Sequence, residues 1–540
     1  MKEEKTSKPG NLFQLLDKPL IIVPLIVVTA LFIVFFLYPE RSTEITDLIR
    51  GFLGNQLGSF YIVLGLGIVF ITLYIAFSKY GKIRLGKMEK PLFPDYKWAI
   101  MIFTSVFAAD LIFYSLIEWA MYAEESRIHQ MGGTPEEWQA TFPLFHWGPI
   151  PWGFYVMLAT AFAFMLHTRG RTKQKFSEAC RPLLGDKVDG GAGKTIDIIA
   201  ICALIAGTAT TFSLVTPLLS ATLSRIFGFG ETTAITVLVL VLIAVIYTIT
   251  VFFGIKGIVR AGMICAMLFL GMIAFILFFG GQAQFIIETG VTSIGNLAQN
   301  FIGLSTWMDP MRVDGDGSFV QNWTIFFWAY WMAWCVATPF FLGLISKGRT
   351  IKNVILGTYG YGLSGTFLSF IVFGNYGLSQ EILGNVEVIN TVTEGILSVC
   401  GQVVIAEPYS GQALSHAIIS IFDTLPLSTV LLAVLFIMLV IFYSTTFDSL
   451  TYVVSSYSYK RLHPGEESAN RVRAFWAIVF IILPIGLIFA ENSINSLQSV
   501  SIIAAFPIGI VFCLIIISFF KDARMYLEEQ KTESNKSEKE

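Results

Sequence analysis

Long apolar runs separated by short polar loops make up most of the chain. Twelve of these runs approach the ~20 residues that an α-helix needs to cross a bilayer. They lie at residues 20–37, 58–78, 98–121, 147–167, 194–216, 232–254, 260–282, 323–345, 354–375, 426–456, 471–490 and 499–519. The pattern therefore predicts an all-α polytopic membrane protein with twelve transmembrane helices.

Positive charge alternates from loop to loop and predicts which side of the membrane each loop faces. Lys and Arg are concentrated in the N-terminal tail and in the loops after the second, fourth, eighth and tenth runs, whereas residues 374–425 carry none. Because Lys and Arg favour the cytoplasmic side, we expect a plasma-membrane protein with both termini in the cytoplasm. The polar stretch 520–540, of mixed charge, is expected to be a disordered tail.

Composition excludes several classes of function. Only 14% of the 540 residues are charged and the mean hydropathy is +0.69, which leaves no room for a large soluble domain. The sequence contains no complete phosphate-binding loop, and its six cysteines and five histidines show no metal-ligand spacing. No nucleophile–base pair or metal triad is evident within the runs. We expect a carrier without cofactor, metal or nucleic-acid partner, and not an enzyme.

Two aromatic clusters point to a binding site inside the membrane. The first, "NWTIFFWAYWMAWC", places seven aromatic side chains within residues 322–335, and the second, "LFHWGPIPWGFY", spans residues 144–155. An interfacial belt or core packing explains any single ring, but the first cluster continues over three helical turns. Several rings around one cavity suit a quaternary ammonium, which has no N–H to donate and is held by cation–π attraction.

Polar side chains within the runs add two further sets of candidates. Asp110 and Glu118 are eight residues apart in the third run, within about 80° of each other on a helix, and Asp448 lies in the tenth run. A charge at membrane depth is costly and usually faces a cavity or a partner. For Glu118 and Asp448, pairing with a helix-end donor is an equal alternative. The hydroxyl groups could coordinate a cation or bond back to the preceding turn, and they are Thr208, Thr210, Thr211, Ser444, Thr445 and Thr446.

These segments resemble a known family. "NWTIFFWAYWMAWCVATPFFLGLISKGRT" is similar to the signature segment of the betaine/choline/carnitine transporters, including its closing I-S-[RK]-G-R, and "LFHWGPIPWGFY" is similar to their fourth span. Several segments, including "SLVTPLL" at residues 213–219, are most similar to the carnitine/γ-butyrobetaine antiporter branch. The resemblance implies a LeuT-like fold of two leading helices and two inverted repeats of five. The implied units are 1–19, 20–97, 98–282, 283–322, 323–519 and 520–540: N-terminal tail, leading helices, first repeat, extracellular connector, second repeat and C-terminal tail.

The resemblance also implies the substrate site. Four residues match the aromatic box of the family and two more match neighbouring positions along the eighth span: Trp147, Trp152, Tyr155 and Trp331, then Tyr330 and Trp334. Asp110 stands where choline-transporting members have an aspartate, which can balance a substrate that lacks a carboxylate of its own. Ala337, in contrast, replaces an amide of the carnitine antiporter. The implied activity is secondary transport of trimethylammonium compounds by alternating access, with choline ahead of carnitine, γ-butyrobetaine or glycine betaine.

The coupling mechanism implied by the family stays open. Phe442, Thr445 and Thr446 are similar to part of a sodium site in the symporters, whereas Leu204 replaces a hydroxyl of the other sodium site. Arg260 aligns with an arginine that substitutes for sodium in the cation-independent antiporter, although a plain charge at the cytoplasmic edge of the membrane is the alternative interpretation and the first to exclude. Sodium or proton symport, sodium-independent exchange and osmoregulated betaine uptake therefore remain alternatives. A homotrimer is expected because the family often forms trimers.

Overall fold

The fold is built almost entirely from helices packed side by side. The computed structural model describes residues 12–105, 108–250, 254–312, 318–399, 402–460, 462, 468–489 and 494–537. Its first twelve α-helices are α1 (Leu12–Leu15), α2 (Lys18–Leu37), α3 (Pro39–Gly51), α4 (Gly58–Phe77), α5 (Asp95–Ser105), α6 (Ala109–Met121), α7 (Ser126–Gln130), α8 (Pro135–His146), α9 (Pro149–Ala163), α10 (Phe176–Ala179), α11 (Arg181–Leu184) and α12 (Gly191–Phe227).

The second half of the chain continues in the same way. Its helices are α13 (Thr233–Thr250), α14 (Gly254–Phe279), α15 (Ala283–Thr306), α16 (Ile325–Trp334), α17 (Thr338–Ile345), α18 (Ile351–Ser369), α19 (Asn375–Ile382), α20 (Val388–Thr393), α21 (Gly411–Asp423), α22 (Ser428–Tyr457), α23 (Asn470–Phe489) and α24 (Ile494–Ser537). A short antiparallel hairpin of β1 (Ile396–Val399) and β2 (Gln402–Ile405) precedes α21. Each of the twelve apolar runs falls on a helix or on a pair of consecutive helices.

Length and composition support membrane crossing for most of these runs. Among the described residues, eight helical segments are long and apolar enough to cross a bilayer, and the bent pair formed by α16 and α17 is a ninth. Two shorter apolar helices lie at residues 234–246 and 428–444. The prediction of an all-α polytopic membrane protein is confirmed, while the number twelve stays a prediction.

Two of the predicted spans are interrupted near their centres. In the third run, α5 ends at Ser105 and α6 begins at Ala109, after an extended backbone at Ala108 (φ −123°, ψ 162°). In the eighth run, α16 and α17 are bent by 58° across Cys335–Ala337. Non-helical backbone at membrane depth is tolerated only where protein or a cavity surrounds it. Each interruption lies in the first run of a predicted five-helix repeat. The two interruptions therefore mark where a substrate-binding site can form.

Proline and π-helical turns set the helix ends around those interruptions. Prolines occupy the first turns of α9 and α17, where their missing N–H costs no hydrogen bond. Single π-helical turns at Val320–Thr324 and Phe370–Gly374 directly precede α16 and follow α18. Such turns rotate the following side chains relative to a regular helix. Helix α9 packs against α4, α17 and α18, which places the second aromatic cluster beside the interrupted eighth run.

The C-terminal tail is ordered, contrary to the expectation of disorder. Helix α24 continues through the predicted tail to Ser537. The carboxylate of Asp522 is buried and pairs with two arginines that follow the fourth run. Its Oδ1 accepts a hydrogen bond from Arg169 Nε at 2.8 Å, and its Oδ2 forms an ion pair with Arg171 Nη2 at 2.9 Å. Arg169 also contacts Glu529 at 2.6 Å. Two acidic residues of the tail, Asp522 and Glu529, thus pair with a distant loop, and helix α24 continues past both of them.

Replacing Asp522 with Asn tests this attachment. We expect the free energy of unfolding to fall by about 2 to 4 kcal/mol. Breaking a buried ion pair costs ~3–5 kcal/mol, and the loss is smaller here because Arg169 keeps Glu529 as a partner. Thermal unfolding of the purified protein in detergent measures the change.

Glu528→Gln is the matched control on the same helix. Its pair with Arg524 is exposed at both ends, 72% for Arg524 and 63% for Glu528, and exposed pairs contribute only ~0–1 kcal/mol. Equal losses of unfolding free energy in Asp522→Asn and Glu528→Gln would contradict the role of Asp522 in attaching the tail.

Candidate functional site

The two aromatic clusters meet around Trp331, a residue of α16. Its indole ring lies 5.4 Å from Trp147, 5.7 Å from Trp152 and 4.8 Å from Tyr155, measured between ring centroids. All four side chains are at most 8% exposed. The structure therefore brings together the four residues of the predicted aromatic box, and they face the protein interior and not the lipid.

The ring of Trp331 is in direct contact with each of the other three rings. Their interplanar angles of 57° to 74° at these distances are typical of tilted and edge-to-face packing. A cation held between two rings lies within ~6 Å of each and separates them. Ligand binding at this position would require Trp331 to move away from its neighbours.

The indole nitrogens of the cluster divide into two groups. Trp147 Nε1 donates to Glu118 Oε2 at 2.6 Å, and Trp152 Nε1 donates to Thr366 Oγ1 at 3.1 Å. The buried Nε1 atoms of Trp331 and Trp334 have no hydrogen-bond partner among the described residues. An unpaired buried donor is costly, so these two N–H groups are available to an acceptor that enters the site.

Asp110 links the two interrupted helices. It lies in the first turn of α6, is 6% exposed, and accepts a hydrogen bond from Tyr330 Oη at 2.6 Å through Oδ2. The same hydroxyl is 2.5 Å from Thr211 Oγ1 of α12. Oδ1 of Asp110 is buried with no hydrogen-bond partner in the part of the chain that is described. The side-chain donors of the described residues therefore satisfy only one of the two carboxylate oxygens.

Trp334 extends the cluster along α16. Its ring centroid is 6.4 Å from Tyr330 and 6.5 Å from Phe447. Helix α12 approaches it closely at Gly207, where a Cβ atom would lie 3.2 Å from the indole. Tyr330 and Trp334 are thus continuous with the aromatic box but adjoin a different helix, as expected for positions further along the eighth span.

Glu118 lies at the opposite end of α6 from Asp110. It is fully buried, and besides Trp147 its partners are Tyr122 Oη at 3.2 Å and His146 Nδ1 at 3.2 Å. The other ring nitrogen of His146 is 3.1 Å from Thr324 Oγ1. The partners of Glu118 among the described residues are thus side chains, two of which, His146 and Trp147, stand at the end of α8. Its functional role stays a prediction.

The hydroxyl groups considered for cation binding mostly bond to the preceding turn. Thr208 and Thr210 donate to the carbonyls of Ile205 and Ala206, at 2.8 and 3.2 Å, and Ser444 donates to Val440 at 2.9 Å. This pattern is the usual behaviour of Ser and Thr in membrane helices. These three contacts do not by themselves indicate a cation site.

The remaining coupling candidates are only partly described. In α22, Phe442 is buried and Thr446 is half-buried. The side chains of Thr445, Asp448 and Arg260 lie outside the described residues. Leu204 of α12 and Ala337, which lies between α16 and α17, are both buried. Their roles in coupling stay predictions.

Several residues of the site were not predicted from the sequence. Tyr114 lies midway between Asp110 and Glu118 on α6, and its ring is 5.4 Å from Trp147. Its spacing of four residues from each carboxylate is a signal that could have identified it. Phe370, whose ring is 5.4 Å from Trp147, and Thr366 belong to the ninth run. No feature of that run distinguishes them.

Comparison with known proteins identifies the kind of molecule. Residues 19–528 match the family model described as BCCT, betaine/carnitine/choline family transporter. The chain belongs to this family. The match confirms the resemblance drawn from the two aromatic segments, and it makes the protein a multi-pass membrane transporter and not an enzyme.

Three relatives illustrate the range of substrates within this transporter family. A carnitine transporter of Acinetobacter baumannii is 28% identical over 457 residues, covering 83% of this chain and 78% of the relative. A glycine betaine transporter of Bacillus subtilis is 27% identical over 509 residues, covering 93% and 92%. A high-affinity choline transport protein of Escherichia coli K12 is 27% identical over 483 residues, covering 88% and 67%. Because the identities are nearly equal, they do not rank the substrates for this transporter.

Replacing Tyr330 with Phe tests the link between the interrupted helices. The change removes the hydroxyl that donates to Asp110, so we expect destabilisation of about 1 to 3 kcal/mol, or more if the carboxylate is charged. Adding Asp110→Asn should cost less than the sum of the two single changes, because the pair shares one interaction. Thermal unfolding in detergent provides all of these values.

Tyr359→Phe is the matched control. Its hydroxyl also meets a single hydroxyl, that of Thr72 at 2.9 Å, but no carboxylate. We expect a loss of ~1 kcal/mol there. Additive effects of Tyr330→Phe and Asp110→Asn would contradict the proposed link.

Proposed function

We propose that this transporter carries trimethylammonium compounds by secondary active transport, with choline as the favoured substrate. In this proposal Trp147, Trp152, Tyr155 and Trp331 surround the ammonium group and Asp110 supplies a counter-charge. The interrupted helices then expose the site alternately to the two sides of the membrane. The observation that carries the proposal is the half-satisfied carboxylate of Asp110 beside the aromatic cluster.

The contacts of Asp110 support a cationic substrate with a hydroxyl group. Its Oδ2 accepts a hydrogen bond from the neutral hydroxyl of Tyr330, while the buried Oδ1 has no hydrogen-bond partner among the described residues. Choline brings both a permanent positive charge and a hydroxyl that can donate to Oδ1. Glycine betaine brings a carboxylate instead, which the charge of Asp110 would repel.

The contacts of Trp331 support an arrangement in which the aromatic box is closed. Trp331 occupies the space between Trp147, Trp152 and Tyr155, so the substrate and the Trp331 indole compete for the same volume. We assign the opening of the site to movement of α16 relative to α9. The bend between α16 and α17 allows one half of the span to move without the other.

A second candidate is exchange of carnitine and γ-butyrobetaine. The observation in its favour is the pair of unpartnered indole N–H groups at Trp331 and Trp334, which could donate to a substrate carboxylate. Arg260, aligned with the arginine of the cation-independent antiporter, supports sodium independence. Sodium- or proton-coupled betaine uptake, using Phe442, Thr445 and Thr446, is the remaining alternative. A homotrimer is part of each of these proposals.

Replacing Asp110 with Asn separates the first two candidates. We expect choline affinity to fall about tenfold or more, because the change removes a unit charge near the cation, while carnitine uptake stays equal or increases. Uptake of both radiolabelled compounds into proteoliposomes measures the change. The control is Asp186→Asn, because the Asp186 carboxylate is fully exposed on a loop. Unchanged choline uptake, with carnitine as the main activity, would refute the counter-charge.

Coupling is tested with the wild-type protein in proteoliposomes. Uptake of choline, carnitine and betaine is compared under an imposed sodium gradient, an imposed proton gradient, and with preloaded substrate. We expect choline uptake to depend on one of the two gradients. Gradient-independent uptake that increases with preloaded substrate would instead establish exchange and favour the second candidate.

A further inference from the structure

The carboxylate of Glu118 is surrounded by hydrogen-bond donors. Oε2 accepts from Trp147 Nε1 at 2.6 Å, and Oε1 lies 3.2 Å from both Tyr122 Oη and His146 Nδ1. The side chain is fully buried. An indole nitrogen can only donate, so the Oε2 contact has a fixed direction. A carboxylate at this depth keeps its charge only when donors of this kind surround it.

His146 connects Glu118 to the hydroxyl of Thr324, and one of its two tautomers donates to the carboxylate. Its Nε2 lies 3.1 Å from Thr324 Oγ1, and its ring stacks on Phe327 with centroids 4.9 Å apart. When the Thr324 hydroxyl donates to Nε2, the neutral imidazole carries its proton on Nδ1 and donates to Glu118. Every group around the carboxylate then donates to it, and none of the three carries a positive charge. An ionised carboxylate in this arrangement is hydrogen-bonded through both oxygens but is not paired with a cation.

Trp147 connects this charge to the aromatic box. Its N–H points at Glu118, and its ring lies 5.4 Å from Trp331. A hydrogen bond from an indole N–H to a carboxylate increases the electron density of the ring, and cation–π attraction increases with that density. The charge itself lies roughly 8 Å from a cation on the far face of the ring, within the range where Coulomb attraction through protein is appreciable.

We infer that Glu118 is a specificity-determining residue, which makes the aromatic box select for positive charge by acting through the indole of Trp147. The inference rests on the proposed function and assigns a role that differs from that of Asp110. Asp110 can touch a substrate directly, whereas Glu118 lies behind the ring and acts on the ammonium end alone. The two carboxylates flank Tyr114 on one face of α6.

The test compares choline with 3,3-dimethylbutan-1-ol, its neutral analogue in which carbon replaces the ammonium nitrogen. Binding of each to the purified full-length protein is measured by titration of the intrinsic tryptophan fluorescence. In Glu118→Gln the amide oxygen still accepts from Trp147, and His146 can change tautomer to accept from the amide N–H. We expect the preference for choline over the analogue, measured as the ratio of their dissociation constants, to fall about ten- to thirtyfold. This factor corresponds to the Coulomb attraction of two unit charges roughly 8 Å apart at an effective dielectric constant of ~20.

The matched control is Glu125→Gln. Glu125 Oε1 accepts from Trp323 Nε1 at 2.6 Å, so the variant alters the same kind of contact at an indole outside the aromatic box. We expect its preference to equal that of the wild type. The preference is a ratio measured within each variant, so a partly unfolded sample does not change it.

An infrared measurement on the wild type covers the case in which Glu118→Gln does not fold. With ¹³C-labelled glutamate introduced by cell-free synthesis, choline binding should shift the stretch of an ionised glutamate carboxylate. A shift of a protonated glutamic acid, or no shift, would overturn the inference. So would a loss of affinity in Glu118→Gln that is equal for both ligands, or no loss at all. If wild-type protein does not bind choline, the proposed function fails and the inference fails with it.

Discussion

The hydrogen bond from Tyr330 to Asp110 connects the two interrupted helices at the level of the aromatic cluster. A carboxylate at this depth requires donors, and the described protein supplies one oxygen of Asp110 with a partner and leaves the other without one. The positions of the neighbouring side chains depend on this bond. Tyr330 is held by Thr211 of α12, and Trp331, the next residue of α16, is directed into the box. A change in the bond therefore affects both the charge and the rings of the site.

The energies of the ring contacts are compatible with the proposed opening of the site on cation binding. Each aromatic contact of Trp331 contributes about 0.5–1.5 kcal/mol beyond its burial, so separating it from three neighbours costs a few kcal/mol. A desolvated cation gains ~2 kcal/mol or more from each ring that it faces. Ligand binding can thus offset the loss of ring packing, provided that several rings face the cation at once. A neutral molecule of the same shape gains much less, which connects opening of the site to the charge of the substrate.

Local composition was sufficient to predict the helices but not their interruptions. Apolar runs of sufficient length specify membrane helices wherever they occur, and every run falls on helical structure. The breaks at Ala108 and at Cys335–Ala337 were not predicted, because the sequence stays apolar around them. The partners of Asp110 and Glu118 were not predictable either, since Tyr330 and His146 are 220 and 28 residues away in the sequence. Disorder of the tail was predicted wrongly for the same reason, because its charges pair with the distant Arg169.

Two carboxylates on one face of α6 restrict how a zwitterion could occupy the proposed site. With its ammonium at Trp147, a betaine or carnitine would need to keep its own carboxylate away from Asp110. The unpartnered N–H groups of Trp331 and Trp334 offer one such position, but Tyr330, which bonds to Asp110, directly precedes Trp331, and its ring lies 6.4 Å from that of Trp334. Unfavourable interaction between like charges at a few ångströms amounts to several kcal/mol at an effective dielectric constant of ~20. The repulsion disappears for a substrate that ends in a hydroxyl, and this difference is the physical basis for placing choline first.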